Sequence, residues 1–178
     1  MKKPSDLVER LRAVRLAVFD VDGVLTDGGL ILGESGDEYK IFNVRDGHGL
    51  VMLKESGCQI AVITARNSKI VADRMQNLGI EFVYQGQKNK GKALDEVMQK
   101  LSLSQEQIAY VGDDVIDLPA MRRAGIAIAV ADAHSLVRQH ADLVTTAAGG
   151  RGAVREVCEL IMESQATLDS ALERYLQD

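Results

Sequence analysis

The sequence has little of what marks a disulfide-stabilised, membrane-spanning or multidomain protein. It contains two cysteines and two prolines among 178 residues, and no apolar run approaches the roughly 18 residues of a membrane span. Cys58 and Cys158 lie far apart and form no C-x-x-C pair, so we expect both to be reduced, as in a cytoplasmic protein. No repeat, low-complexity tract or proline-rich linker divides the chain, which indicates one domain over residues 1–178.

The N-terminal segment and the charge distribution disfavour further classes. Residues 1–15 contain two lysines followed by a charged amphipathic run, without the apolar core of a secretory signal peptide. The formal net charge is −5, and no basic block is long enough to indicate nucleic-acid binding. We therefore expect a cytoplasmic protein whose partner is a small molecule, with no nucleic acid and no membrane.

The sequence does contain a regular alternation of short apolar strands and amphipathic helices. This β-α-β pattern predicts an α/β fold with a doubly wound, Rossmann-like parallel sheet. Two apolar runs within residues 28–43 flank a polar turn and predict a β-hairpin whose apolar edge would need covering. The predicted strands are 15–20, 59–64, 81–84, 108–114, 126–130 and 142–145, and the predicted helices are 5–14, 46–57, 68–79, 90–101, 115–124, 133–139 and a tail over about 149–178 that is helical from Gly152.

Polar side chains follow several of the predicted strands. Ligands of parallel sheets bind beyond the carboxyl ends of the strands, so we expect these side chains to share one cleft. They are Asp20, Asp22, Thr64, Arg66, Asp113 and Asp114, with Lys90 at the start of a helix.

Two aspartates one residue apart in "VFDVDGVLTD" (18–27) should repel each other unless something offsets their charge. An Asp-Gly turn is one explanation. An EF-hand calcium loop is excluded, because that loop needs a glycine at position 6 and an acid at position 12, whereas Gly23 stands at position 4 and Ile31 at position 12. "GDDVID" (112–117) could by itself be only a helix start. Together, two acidic clusters at the ends of two strands indicate a divalent cation, and Mg²⁺ suits carboxylate and phosphate oxygens.

Carboxylates, Mg²⁺, a hydroxyl and a lysine form a set suited to phosphoryl transfer. Asp20 would attack phosphorus and form an aspartyl phosphate. Asp22 would protonate the leaving alcohol and then deprotonate the attacking water. Thr64 and Lys90 would bind the phosphate, with the lysine and the metal offsetting charge in the transition state.

Four segments resemble, in order, the motifs of the haloacid dehalogenase-like phosphatases: "DVDGV" (20–24), "VITAR" (62–66), Lys90 and "GDDVID" (112–117). The resemblance implies that Asp20, the Asp22 carbonyl and Asp113 hold Mg²⁺. It also implies that Asp114 and Asp117 position the metal site.

The spacing leaves no room for the cap domain of many family members. With "FNVRDGHG" (42–49), "YQGQKNK" (84–90) and "GGRGAVRE" (149–156), the chain is similar to the 3-deoxy-D-manno-octulosonate (KDO) 8-phosphate phosphatases. This resemblance implies release of phosphate from KDO 8-phosphate in lipopolysaccharide precursor synthesis. It also implies a homotetramer that is assembled through the hairpins, in which a neighbouring subunit helps to close each site.

The same resemblance implies a set of substrate contacts, several of which have plainer explanations. Arg66 would pair with the sugar-acid carboxylate or be a surface arginine, and Arg74 would contact substrate or lie on a solvated helix face. Asp46 would contact substrate or cap the helix that it begins, and the two roles are compatible. The implied substrate-binding residues are Asp22, Asn43, Val44, Arg45, Asp46, Gly47, Arg66, Arg74, Lys90 and Arg151.

Other functions share part of this pattern. A sister branch of capless phosphatases acts on nine-carbon, sialic-acid-type sugar phosphates, and Arg66 favours the eight-carbon acid. A receiver-like phosphoaspartate signalling module also combines acids, a threonine or serine, a lysine and Mg²⁺. Such a module lacks a second acid two residues after the phosphoacceptor, so Asp22 favours the phosphatase. The intact motifs disfavour an inactive structural homologue.

Overall fold

The computed structural model describes residues 4–177 of the chain. In chain order the elements are α1 (Pro4–Ala13), β1 (Leu16–Phe19), β2 (Ile31–Leu32), β3 (Glu38–Tyr39), α2 (Val44–Glu55), β4 (Gln59–Ile63), α3 (Lys69–Asn77), β5 (Phe82–Tyr84), α4 (Lys90–Leu101), β6 (Ile108–Gly112), α5 (Leu118–Met121), β7 (Ile126–Ala129), α6 (Ser135–His140), β8 (Leu143–Val144), α7 (Ala153–Ser164) and α8 (Leu168–Glu173).

Six parallel strands form the main sheet in the order β5-β4-β1-β6-β7-β8. β1 lies near the middle and is buried along its length, as expected for a strand covered on both faces. Helix α7 packs against α1 and α2, whereas α4 packs against α5. The predicted doubly wound α/β fold is confirmed. Strands β4 and β5 lie on one side of β1, and β6, β7 and β8 lie on the other, so the strand order reverses at β1. In such sheets the ligand-binding crevice lies beyond the carboxyl ends of the strands at this switch point.

Every predicted strand is present, and each is shorter than expected. At the carboxyl ends of β1, β4 and β6, the polar residues Asp20, Thr64 and Asp113 stand just past the last strand residue. Aspartate is a poor strand former, and here the chain leaves the sheet to build the site. Among the residues that the structure describes, no helix has the length and apolar character to cross a membrane.

The predicted hairpin is confirmed as the antiparallel pair β2–β3, in which Ile31 lies opposite Tyr39 and Leu32 opposite Glu38. Its apolar side chains point outward: Leu32 is 68% exposed and Ile41 is 66% exposed. Isolated two-stranded ribbons are marginally stable in water, and a contiguous exposed apolar patch is typical of an interaction surface.

The prediction that Asp46 caps α2 is wrong. The helix begins at Val44, and the Asn43 side chain caps it by accepting a hydrogen bond from the Arg45 backbone N–H at 2.8 Å. Asp46 is buried within α2 and instead accepts hydrogen bonds from the N–H groups of Gly152, at 3.3 Å, and Arg155, at 2.9 Å. Its carboxylate therefore stabilises the start of α7, where backbone donors lack partners within the helix.

Two predicted helices are divided. Instead of one helix over 115–124, a 3₁₀ turn at Val115–Asp117 precedes the short α5. The Asp114 side chain accepts from the Val115 N–H at 2.8 Å and caps this turn. The C-terminal tail forms α7 and α8, separated near Ala166, whose φ of +56° interrupts the helix.

Candidate active site

Asp20 is fixed at the carboxyl end of β1. Its backbone N–H donates to the Val111 carbonyl of β6 at 3.1 Å, and the chain then enters a wide turn at Val21–Leu25. Gly23 has a φ of +91°, and a Cβ there would lie 2.0 Å from Oδ2 of Asp113. Only glycine therefore allows this turn to pass so close to the acidic residue that follows β6.

Lys90, the first residue of α4, places a buried ammonium between two carboxylates. Its side chain is 1% exposed, and Nζ lies 2.8 Å from Asp20 Oδ2 and 2.7 Å from Asp117 Oδ1. Burial alone would lower the pKa of Lys90, but the negative charges of Asp20 and Asp117 raise it. The lysine therefore stays protonated, as a group that binds phosphate as a cation requires.

Asp117 organises the surrounding groups. Besides Lys90, its Oδ1 accepts from the Tyr110 hydroxyl at 2.8 Å. Its Oδ2 accepts from the backbone N–H groups of Asp113, at 3.1 Å, and Asp114, at 3.2 Å. Both carboxylate oxygens are thus engaged, which supports a positioning role for Asp117.

Three carboxylates converge at this end of the sheet. Asp20, Asp113 and Asp117 each offer one oxygen, and these oxygens lie within 4.8 Å of one another. The buried Asp113 Oδ1 has no hydrogen-bond partner. Burial, followed by the charge of Asp117, raises the pKa of Asp20 to about 7. The same two causes, with Asp20 added, raise the pKa of Asp113 to about 8.

An orphaned buried oxygen among crowded carboxylates fits a divalent cation. Because both oxygens of Asp117 already accept hydrogen bonds, Asp20 and Asp113 are the side chains best placed to ligate it. The carboxylate of Asp22 forms an ion pair with Lys40, which leaves its backbone carbonyl as the group that could contribute.

The predicted catalytic residues share one cleft with a volume of about 160 Å³. Thr64 is buried at the end of β4, and its Oγ1 accepts from the Arg66 backbone N–H at 3.3 Å. Arg66 has a 45% exposed side chain, and its guanidinium pairs with Glu38 of the hairpin. The residues that line the cleft are Asp20, Asp22, Thr64, Ala65, Arg66, Lys90, Asp113, Asp114 and Ile116.

The other seven predicted substrate residues do not line this cleft. Arg151 pairs with Asp27, with Nη2 at 3.1 Å from Oδ2. The Arg74 guanidinium lies 6.0 Å from the centroid of the Phe42 ring. The predicted substrate residues outside the lining are Asn43, Val44, Arg45, Asp46, Gly47, Arg74 and Arg151.

The sequence reasoning missed Lys40, Glu38 and Tyr110. Lys40 forms ion pairs with Asp22 and Glu38, and its side chain is 1% exposed. A partial signal was present, because residues two apart in an extended segment share a face, and Lys40 comes two residues after Glu38 at the end of β3. The face that they share could not be read from the sequence.

Comparisons with known proteins identify the family. Residues 79–157 match a model of the haloacid dehalogenase-like hydrolases. The chain is 49% identical to the 3-deoxy-D-manno-octulosonate 8-phosphate phosphatase KdsC of Escherichia coli K12 over 167 residues, which is 94% of this chain and 89% of that protein. The chain belongs to this phosphatase family.

Solved structures of family members superimpose closely on this chain. A probable YrbI family phosphatase from Pseudomonas syringae gives a TM-score of 0.96 at 50% identity, covering 98% of this chain and 99% of that one. The KDO 8-phosphate phosphatase from Moraxella catarrhalis, solved with magnesium ion, phosphate ion and KDO, gives 0.95 at 41% identity, covering 97% and 99%. The family resemblance seen in the motifs is therefore confirmed, and so is the capless fold.

The raised pKa values of Asp20 and Asp113 predict a pH-dependent stability for the metal-free protein. Both carboxyls bind protons more tightly in the folded than in the unfolded chain, so the free energy of unfolding should fall as the pH rises from about 4 to about 8. A divalent cation replaces those protons. It should therefore raise the melting temperature more at about pH 8 than at about pH 6. Thermal melts with EDTA or Mg²⁺ measure both effects.

Asp113→Asn is the matched control for this experiment. The variant removes one titrating group, so its melting temperature in EDTA should depend less on pH and respond less to Mg²⁺. An equal Mg²⁺ shift at both pH values that persists in the variant would contradict a cation site at Asp113.

Proposed function

We propose that this protein is a Mg²⁺-dependent phosphatase that hydrolyses KDO 8-phosphate to KDO and inorganic phosphate. The observation that carries the proposal is the single cleft that contains Asp20, Asp22, Thr64, Lys90 and Asp113. It occurs in a chain that is 49% identical to a KDO 8-phosphate phosphatase over nearly its whole length. The product would feed lipopolysaccharide precursor synthesis.

In the first half-reaction, a carboxylate oxygen of Asp20 attacks phosphorus and forms an aspartyl phosphate. The bond between phosphorus and the sugar oxygen breaks, and that oxygen takes a proton from Asp22. Lys90 Nζ, which lies 2.8 Å from the nucleophile, and the Thr64 hydroxyl hold the phosphoryl oxygens. Mg²⁺ bound at Asp20 and Asp113 would supply positive charge for the phosphoryl group and its transition state.

The second half-reaction returns the enzyme to its starting state. Asp22, now a carboxylate, accepts a proton from a water that attacks phosphorus. The bond between phosphorus and Asp20 breaks, which releases inorganic phosphate and regenerates the nucleophile. Asp22 is the group that a receiver-like module lacks, and its presence in the cleft supports turnover over a long-lived phosphoaspartate.

Arg66 supports a sugar-acid substrate. It lies at the rim of the same cleft, where its exposed guanidinium could exchange the Glu38 carboxylate for that of the sugar. Guanidinium and carboxylate match as a bidentate pair.

We further propose a cytoplasmic homotetramer with the hairpins at its centre. Leu30, Ile31, Leu32 and Ile41 are exposed apolar side chains of the hairpin segment. Val44, Arg45 and Arg151, which are exposed and lie outside this chain's own cleft lining, would then act across the interface at a neighbouring site. Cys58 and Cys158 are free and buried, which suits a reducing compartment.

Phosphate release from a panel of phosphate esters tests the proposed function. With Mg²⁺, the protein should hydrolyse KDO 8-phosphate faster than nine-carbon, sialic-acid-type sugar phosphates, and EDTA should abolish the activity. Arg66→Gln should raise KM for KDO 8-phosphate by about 10-fold or more, because it removes a charged hydrogen-bonding partner. For p-nitrophenyl phosphate, which has no carboxylate, KM should change little.

The outcomes separate the alternatives. Preference for a nine-carbon phosphate would leave the mechanism intact and reassign the substrate. Release from no ester, with lasting phosphorylation of Asp20 by a small phosphodonor, would contradict the phosphatase and favour a signalling module.

A further inference from the structure

Lys40 is a buried cation that the mechanism above does not use. It follows β3 of the hairpin, and its side chain is 1% exposed. Nζ forms an ion pair with Oδ1 of Asp22 and lies 3.1 Å from Oε1 of Glu38. Removing an ammonium from water is costly unless carboxylates compensate it, so the packing of this part of the hairpin depends on Asp22 and Glu38.

Glu38 extends this contact into a chain of four charges. Its other oxygen, Oε2, accepts a hydrogen bond from the guanidinium of Arg66. This hydrogen bond, followed by the one from Lys40, lowers the pKa of Glu38. The order is Asp22, Lys40, Glu38, Arg66, and we call it the hairpin ion chain. It joins the proposed acid/base residue to the arginine at the rim through the side chains of Lys40 and Glu38.

The position of Asp22 leaves its side chain free to rotate unless a neighbouring group holds it. It belongs to the irregular turn after β1, and its side chain is 23% exposed. Arg66 Nε lies 4.0 Å from its Oδ2, which is too far for a hydrogen bond, whereas Lys40 contacts its Oδ1 directly. A partly exposed aspartate can rotate among several rotamers, and proton transfer needs one of them.

We propose that Lys40 is a positioning residue that holds the Asp22 carboxylate in the orientation required for proton transfer, an inference that rests on the proposed function. The hairpin is then part of the catalytic apparatus of its own subunit, in addition to any role in assembly.

If Lys40 only stabilised the packing of the hairpin, its replacement would slow both half-reactions to a similar extent. A positioning role predicts a difference between substrates. An alkyl phosphate such as KDO 8-phosphate needs its leaving oxygen protonated, whereas p-nitrophenolate leaves without a proton. Both substrates need Asp22 when water attacks the aspartyl phosphate. Loss of the positioning residue should therefore make that second step limiting for the aryl substrate alone.

Lys40→Met in the Mg²⁺-loaded protein tests the proposal. We expect kcat for KDO 8-phosphate to fall by about 30-fold while KM stays within about threefold of wild type. With p-nitrophenyl phosphate, rapid mixing should show a burst of nitrophenolate followed by a slow steady rate. Lys40→Arg, which keeps the charge and donors, should recover most of the kcat.

Lys69→Met is the matched control, because Lys69 is exposed and pairs with Asp73 on α3. It should behave as wild type with both substrates. If Lys40→Met does not fold, as judged by circular dichroism, Lys40→Gln replaces it in the same two assays. A kcat loss below about threefold, or an equal loss with both substrates and no burst, would overturn the positioning role.

Wild-type behaviour separates this proposal from the proposed function. If wild type hydrolyses p-nitrophenyl phosphate and not KDO 8-phosphate, the substrate assignment fails, and the burst with the aryl ester still decides the role of Lys40. Wild type that hydrolyses neither ester would overturn both.

Discussion

Asp20→Asn should abolish phosphate release, by about 10⁴-fold or more, because the amide has no anionic oxygen with which to attack phosphorus. The same change should raise the melting temperature of the metal-free protein at about pH 8. Burial and the charge of Asp117 raise the pKa of Asp20 to about 7, so at higher pH the folded state carries a carboxylate that it disfavours. Asparagine removes that charge, and Lys90 keeps its ion pair with Asp117.

The stabilisation should depend on pH with a defined sign. Below about pH 6 the wild-type Asp20 is largely protonated, so the difference in melting temperature between variant and wild type should shrink. Thermal melts in EDTA at both pH values, together with a phosphate-release assay, measure the two effects. Asp73→Asn, at an exposed aspartate of α3, is the control and should change neither. If Asp20→Asn is less stable than wild type at about pH 8, the conclusion that the folded state disfavours an ionised Asp20 is wrong.

Lys90→Met should lower both activity and stability. Without the ammonium, the phosphoryl group loses a preorganised cation, and kcat should fall by about 10³-fold. Asp20 and Asp117 would face each other uncompensated in a buried site, and the free energy of unfolding should fall by about 3 kcal/mol. The stability loss should be smaller at about pH 6, where Asp20 can take up a proton. Urea denaturation in EDTA measures it.

A double-mutant cycle separates these two roles of Lys90. Adding Asp20→Asn to Lys90→Met removes one of the uncompensated carboxylates, so the double variant should regain much of the lost stability. It should regain no activity, because the nucleophile is absent. If Lys90→Met costs as much stability in the Asp20→Asn background as in wild type, the two buried charges are not coupled.

The core of the site was predictable because parallel strands end at the same edge of a sheet. Asp20, Thr64 and Asp113 each follow a short apolar strand, and the sheet order brings β1, β4 and β6 side by side. Lys90 was predictable from its place at a helix start and from its motif. For these residues, local sequence determines both the element and its end, and the fold type then places the ends together.

Capping partners were not predictable from local sequence. Asp46 had a suitable residue type for capping α2, and Asn43 takes that position because its backbone is extended just before the helix. The carboxylate of Asp46 instead reaches the start of α7, 109 residues away from it at Arg155. Such a contact depends on how α2 packs against α7, which no local pattern records.

The hairpin ion chain shows the same division. By itself the sequence determined the alternation of strands and helices, the acidic strand ends and the family, because these follow from apolar periodicity and motif spacing. The tertiary structure alone decided that Lys40 meets Asp22 and that Glu38 meets Arg66. It also decided that Arg74 and Arg151 lie away from the cleft. The reason is physical: side-chain pairing across distant segments depends on which way each element faces once packed, and a charged residue in a short ribbon has no local signal for its partner.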